Sequence, residues 1–242
     1  MDISDPEKER WDKKASAYVR AVEELAVTDT YEGVFRRLNT LKPVYTFFAL
    51  RDEDNPVILD FGCGAGWSTV LLAQKAGFVY GFDISSRSIE VLKRKAEYNS
   101  IANLSAFVGN AERLPFEDGS FDYIFGNAIL HHLDLAAVLP EIARLLKKGG
   151  KAAFCEPFGH NPVMNRYRSL KDKYIEKVKG IHYALTYGDR ALFEKYFPYV
   201  AFIETSFLSD KVPFLRSLEA LLLEKVRWTR KFASYVAIVL QK

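Results

Sequence analysis

The chain has 242 residues, 49% hydrophobic and 27% charged, with a formal net charge of +3 at pH 7; that suits a single globular domain over 1–242 without requiring a second. So small a positive balance does not imply nucleic acid, and none is expected as a partner. No run reaches the ~20 apolar residues that span a bilayer, and residues 1–20 are charged and lack a signal-peptide core, so a soluble cytoplasmic protein is expected.

In chain order, apolar β-rich runs stand at 57–61, 78–82, 104–108, 123–125 and 152–155, with helical patterns between most of them. The alternation predicts an α/β fold, a doubly wound parallel sheet with helices on both faces. Helices are expected at 68–76, at 86–99 with Ile89, Leu92 and Ala96 on one face, and at 135–148, where Gly149-Gly150 reads as the stop and Pro140 as a kink or a late start. Beyond Cys155 the pattern changes. Strands at 199–207 and 234–240 flank a helix at 213–231, and the last strand is expected antiparallel to its neighbours, making seven in a mostly parallel sheet. Between 157 and 197 lie a basic amphipathic piece, 164–179, and a helix at 189–197. Cys63 and Cys155 each end a strand and lack the spacing of a metal site, so both read as reduced and structural, with no metal expected.

The stretch from Ile58 to Ser68, ILDFGCGAGWS, places Gly62, Gly64 and Gly66 directly after the first strand. Glycines at such a junction let the backbone turn tightly and approach a ligand. A dinucleotide loop reads G-x-G-x-x-G; here the spacing is G-x-G-x-G, and Asp60 stands two residues ahead of it. Asp83 ends the second strand, where an acid can accept from both hydroxyls of a ribose. Nicotinamide enzymes place an acid similarly, so this residue alone does not separate the cofactors. Ser85 or Ser86 can cap the helix that follows.

Three further segments add to this: VGNAERLPF from Val108, GSFDYI from Gly119 and NAILHHL from Asn127. With them, residues 55–156 resemble the class I S-adenosylmethionine-dependent methyltransferases, in particular the small-molecule group carrying an LPF segment and a double histidine. The resemblance implies a Rossmann-like core over 55–156, a leading helix or lid over 1–30, and substrate-cap insertions at 157–198 and 208–232. It also implies S-adenosyl-L-methionine as cofactor. Gly62, Gly64 and Gly66 would hold its methionine part with Asp60 in support. Asp83 would take the ribose, Ile84 would lie on the adenine, and Asn110 and Ala111 would meet the adenine edge; many members have Asp where this chain has Asn110. Asn127 would begin the loop beneath the methionine moiety. Trp11 and Tyr18, in WDKKASAY, belong to the segment resembling the lid, as ligand contacts or as core aromatics.

The resemblance implies transfer of a sulfonium methyl group, which needs in-line alignment and exclusion of water, and a base where the acceptor holds its proton. Candidate groups at the carboxyl ends of the strands are His131, His132, Glu156 and His160, each a base or acceptor contact or else an organiser of its own loop. Residues 166–179 and 211–231 each carry six basic and two acidic side chains among apolar ones. Such helices can cover an apolar acceptor, lie peripherally on an anionic membrane, or pack on the sheet with a solvated outer face. The reading is methyl transfer to a small or medium-sized, rather apolar acceptor at oxygen. Its alternatives are nitrogen or carbon methylation of a small molecule or peptide, and a nicotinamide-dependent oxidoreductase.

Overall fold

Seven strands form one sheet in the order β3-β2-β1-β4-β5-β7-β6. They are β1 (Val57–Phe61), β2 (Phe78–Asp83), β3 (Leu104–Val108), β4 (Phe121–Asn127), β5 (Leu146–Pro157), β6 (Tyr199–Ser206) and β7 (Tyr235–Gln241). The computed structural model describes residues 8–13, 26–162, 165–166, 184–206 and 216–242. Strands β1 to β5 pair in parallel, and β7 enters antiparallel between β5 and β6, as the sequence predicts. The order reverses between β1 and β4, so their carboxyl ends flank the crevice in which an open α/β sheet holds its ligand.

Both faces of the sheet are covered, and side chains alternate between two cores with the two-residue period of a strand. From β1, Leu59 and Phe61 enter one core while Ile58 enters the other; from β7, Val236, Ile238 and Leu240 part in the same way from Ala237 and Val239. The first core is closed by α6 (Leu135–Leu145) through Val138, Leu139, Ile142 and Leu145. The second is closed by α4 (Trp67–Leu72), α5 (Ser86–Tyr98) and two short helices not foreseen from the sequence, α2 (Tyr31–Phe35) and α3 (Lys42–Phe48). A first helix, α1, covers 8–13.

Several boundaries move. The helix after the glycines is six residues long, ending at Leu72 rather than 76. Helix α6 stops at Leu145, and Gly149-Gly150 lie inside β5, whose pairing with β4 passes from Phe121↔Leu146 to Tyr123↔Lys151. Gly149, at φ +77°, belongs to this register break and not to a helix end. The helix expected at 189–197 is a 3-10 turn, Tyr187–Asp189, followed by α7 (Arg190–Phe193). That expected at 213–231 is α8 (Arg216–Lys225) and a 3-10 segment, Arg227–Phe232. Tyr18 and most of the basic piece 164–179 lie outside the described residues.

The connection from β3 to β4 is clamped to α6. Glu141 is buried and accepts from Leu114 N at 2.8 Å and from Arg144 Nε and Nη2 at 2.8 and 2.7 Å, while Arg144 Nη1 donates to Phe116 O at 2.7 Å. Burial alone would raise the Glu141 carboxyl, but the guanidinium and the amide hold it below its ordinary range.

Candidate functional site

The glycine loop spans from the end of β1 to Gly66, the N-cap of α4. A Cβ on Gly66 would stand 2.2 Å from Leu92 Cδ1, and one on Gly62 would stand 2.6 Å from Ile129 Cγ1, so close packing requires both glycines. Gly64 is different: it sits at φ +52° and an added Cβ would meet nothing within 4 Å. Its backbone therefore faces open space. Because α4 is only six residues long, the part able to hold a ligand is loop backbone and not the pole of a helix dipole.

Asp60 lies beneath this loop, 1% exposed, and its Oδ2 accepts from Ser68 Oγ at 2.8 Å and Thr69 Oγ1 at 2.7 Å. Burial pushes its carboxyl up to about 6 against the pull of those two hydroxyls. Asp83 ties the loop to β2, with Gly64 N donating to Oδ2 and Ser85 N to Oδ1, both at 2.9 Å. Burial raises this carboxyl too, the amides opposing it and the charge of Asp12 adding to the rise. The helix cap is Ser85, whose Oγ accepts from Ser88 N at 3.0 Å, so Asp83 is not needed for that task. Two carboxylates, Asp60 beneath and Asp83 beside it, thus adjoin a backbone cradle, with the charge of Asp12 felt at Asp83. Such a site favours a cationic ligand carrying hydroxyls and opposes a pyrophosphate.

Ile84 is half-buried beside Asp83, and Ala111 is 6% exposed after β3. The Asn110 side chain uses one lone pair of Oδ1 to accept from Glu112 N at 3.0 Å, closing its own turn. Its amide NH2 is therefore the group it can best offer a ligand, where an Asp would offer an acceptor.

Across the crevice, β4 ends at Asn127, and the next residue, Ala128, adopts a left-handed φ of +54° while its N–H donates to Cys155 O at 2.8 Å. For a residue with a Cβ this conformation is strained, the kind of outlier that collects at functional loops. The turn aims the next amides at Glu156, whose Oε1 accepts from Ile129 N at 2.9 Å and Leu130 N at 2.8 Å. Its Oε2 lies 2.7 Å from His131 Nδ1. Glu156 has no exposed surface, so the expectation that it borders an acceptor is corrected: both oxygens are occupied inside the protein, shaping the loop and orienting His131. With Nδ1–H donating to the carboxylate, Nε2 of His131 is left as the basic nitrogen.

His132 lies against His131 with ring centroids 3.9 Å apart and meets the edge of Trp11 from α1 at 5.5 Å. Next to Trp11, Asp12 Oδ1 accepts from Ser85 Oγ at 2.5 Å and Arg87 N at 3.1 Å, fixing α1 over the start of α5. His160 takes part in a different group: it stacks on Tyr187 at 4.5 Å and accepts from Tyr187 N at 3.2 Å through Nε2. Its ring nitrogen is thereby engaged in holding the loop after β5 to the 3-10 turn. Cys63 and Cys155 are buried free thiols, and burial pushes both up, Cys63 well above its usual range.

The structure thus brings together Asp60, Gly64, Asp83, Asn127, His131 and Glu156 along adjoining strand ends. Sequence reasoning missed Asp12, Ser68, Thr69, Ala128 and Ile129. Ser68-Thr69 carried a legible signal, two hydroxyls in the first helical turn after a strand acid. Asp12 and Ala128 carried none.

A family model described as a methyltransferase domain matches residues 59–154. The demethylmenaquinone methyltransferase of Bacillus mycoides (strain KBAB4) is 31% identical over 181 residues, covering 67% of this chain and 76% of that protein. That of Lactococcus lactis subsp. lactis (strain IL1403) is 35% identical over 125 residues, so the chain spans about half of that relative, 49%. Among solved structures, a geranyl diphosphate C-methyltransferase from Streptomyces coelicolor A3(2), in complex with Mg2+, geranyl diphosphate and S-adenosyl-L-homocysteine, superposes with a TM-score of 0.64. The match is 17% identical and covers 98% of this chain and 99% of that one. A methyltransferase in complex with the Haloferax volcanii Trm112 activator also gives 0.64, at 19% identity and 96% coverage of both chains. At these identities the structural likeness is one of fold.

Proposed function

Since the chain belongs to the class I S-adenosylmethionine-dependent methyltransferases, we propose that it methylates a ring carbon of an apolar, hydroxylated aromatic acceptor of the hydroquinone type. Methyl transfer from S-adenosylmethionine to a small molecule is the family's activity. The relatives are named demethylmenaquinone methyltransferases, and a quinone nucleus lacking a methyl group supports carbon over the oxygen that the sequence suggested.

The observation that carries the reading is the His131–Glu156 pair, 2.7 Å apart with the carboxylate fully buried. A ring carbon beside a hydroxyl becomes a competent nucleophile once that hydroxyl loses its proton. His131 Nε2 accepts the proton, and Glu156 holds the tautomer and stabilises the imidazolium. S-adenosylmethionine supplies, when bound, a methyl group on a sulfonium whose departure leaves a neutral thioether. The new bond joins methyl to ring carbon, the hydrogen on that carbon leaves to solvent as a proton so that aromaticity is restored, and the His131 imidazolium returns its proton to the ring oxygen. Gly62 and Gly64 hold the methionine end with Asp60 beneath them, Asp83 takes the ribose hydroxyls, and Ile84, Asn110 and Ala111 line the adenine. Asn127 opens the loop under the reacting centre; Trp11, on His132, serves as a lid contact, while His132 packs beside His131 and His160 holds the loop after β5.

The test is a transfer assay with isotopically labelled methyl donor and soluble naphthohydroquinones, phenols and amines, with the product's methyl group located by NMR. A methyl group on a ring carbon supports the reading. A methyl ether or methylamine as the main product overturns it.

A further inference from the structure

Helix α8 presents its faces in the reverse of a solvated surface helix. Leu218, Leu221, Leu222 and Lys225 follow the i, i+3, i+4, i+7 spacing of one face, and the first two are 53% and 47% exposed. Glu219, in contrast, points inward at 2% exposure, together with Leu223 at 6%. The 3-10 segment is folded back onto the helix: Thr229 Oγ1 donates to Leu222 O at 3.0 Å and to Val226 O at 2.7 Å, and Arg230 Nε donates to Leu223 O at 3.0 Å. This fixes against the helix the segment that carries Trp228, 64% exposed and braced edge-on by Phe232 at 6.0 Å. Large apolar side chains held outward on a rigid platform mark a contact surface.

The charges identify the partner. Residues 211–231 hold six basic and two acidic side chains, and one of the two acids, Glu219, is turned inward. Exposed apolar side chains including a tryptophan, on a segment whose sequence carries net positive charge and whose Lys225 is exposed on the leucine face, match the headgroup layer of an anionic bilayer, where the indole favours the interface and basic groups meet lipid phosphates. Among the described residues no helix is long and apolar enough to cross a membrane, so the contact is peripheral. We propose that α8 and the segment Arg227–Phe232 dock this protein on anionic membrane surfaces.

The connection that carries the docking face starts and ends at the sheet edge that carries the crevice. β6 is parallel to β5, so its carboxyl end is at the same edge as that of β1, and β7 starts from that edge. The segment between them therefore leaves and returns there. It is also bonded to the loop following Glu156: Asn161 Nδ2 donates to Phe232 O and to Ser234 Oγ, and Phe158 N donates to Ser234 O at 2.8 Å. A docked molecule presents its acceptor side to the lipid, from which an apolar acceptor can enter.

The inference goes beyond the proposed reaction and is tested without turnover, so either can fail alone. The full chain is sedimented with vesicles of phosphatidylcholine alone or with about a third phosphatidylglycerol, at low and high salt. The expected result is binding to the anionic vesicles only, weakened by salt, falling at least tenfold in the double variant Trp228→Ser, Leu221→Ser and several-fold in Lys225→Glu. Both variants should keep the wild-type thermal midpoint and S-adenosylhomocysteine affinity, showing that the loss is confined to the surface. The inference is overturned if the wild type does not sediment with anionic vesicles or if the double variant binds like the wild type. It is equally overturned if ultracentrifugation shows the same residues joining two copies of the chain.

Discussion

Replacing Gly64 and Gly66 separately by alanine distinguishes a glycine kept for a ligand from one kept for the fold. Both residues have positive φ, +52° and +80°, and for alanine that conformation costs about 1–2 kcal/mol, of which some 0.4–1 is offset by the stiffer unfolded chain. For Gly64→Ala nothing more is added, because the new methyl meets no atom within 4 Å. The net loss is about 1 kcal/mol, a fall of roughly 2–4 °C in melting temperature for a chain of this size. For Gly66→Ala the methyl would stand 2.2 Å from Leu92 Cδ1, and Leu92 is fully buried. Overpacking adds about 1–3 kcal/mol, bringing the fall to roughly 5–15 °C. Binding reverses the order: the Gly64 methyl occupies the space assigned to the cofactor, so the Kd for S-adenosylhomocysteine should rise at least tenfold, or about 1.4 kcal/mol. Thermal unfolding and calorimetric titration of both variants measure the two effects. Wild-type affinity in Gly64→Ala would show that the open space above the loop is not the cofactor's.

Asp60 gives a pH signature. Its folded pKa of about 6 lies above the ordinary 3.8, so the folded state binds its proton more tightly. The stability from this group is complete below about pH 4 and is lost as pH rises through 6, by about 3 kcal/mol. Denaturant midpoints of Asp60→Asn, compared with wild type between pH 4.5 and 7.5 (about three units), should show the variant gaining relative stability as pH rises; parallel curves contradict the assignment. Glu156→Gln should retain the amide bonds to Ile129 and Leu130 but offer its NH2 to His131 Nδ1, forcing the proton onto Nε2. We expect kcat to fall about 10²-fold or more with KM little changed and the acidic limb of the pH profile altered; normal turnover removes His131 from the base role. Cys63 and Cys155, buried and shifted up, should resist thiol reagents until the protein unfolds, and prompt labelling of either in the native protein would contradict their burial.

The parts legible in the sequence are those with a local physical signature. The glycine spacing, the acid closing β2 and the apolar runs of β1 to β3 and β7 all rest on neighbours a few residues apart. The short helices α2 and α3 escaped because five and seven residues complete too few turns to display a period; their order comes from Tyr31, Phe35, Val44 and Phe48 entering the second core. Gly149-Gly150 misled because a glycine with positive φ ends a helix and breaks a strand register equally well. Glu156 was legible as either an acceptor contact or an organiser of its loop, but its partners were not. Only the adjacency of β4 and β5, with Asn127 opposite Cys155, brings its carboxylate under the amides of Ile129 and Leu130.

The late position of β7 in the sequence sets an order of events during synthesis. Among the described residues β6 pairs with β7 and with no other strand, and β7 is also what closes the free side of β5. Until Tyr235–Gln241 has left the ribosome, β6 has no ladder to join, and the apolar flank of β5 lies open. The loop carrying Phe158 likewise lacks Ser234 as its anchor. The half built from β1 to β4 can take shape early, whereas the half beyond β5, where the acceptor side is proposed, matures last. A nascent chain stalled before β7 is therefore a half-enzyme with an adhesive edge, the species on which a chaperone would act.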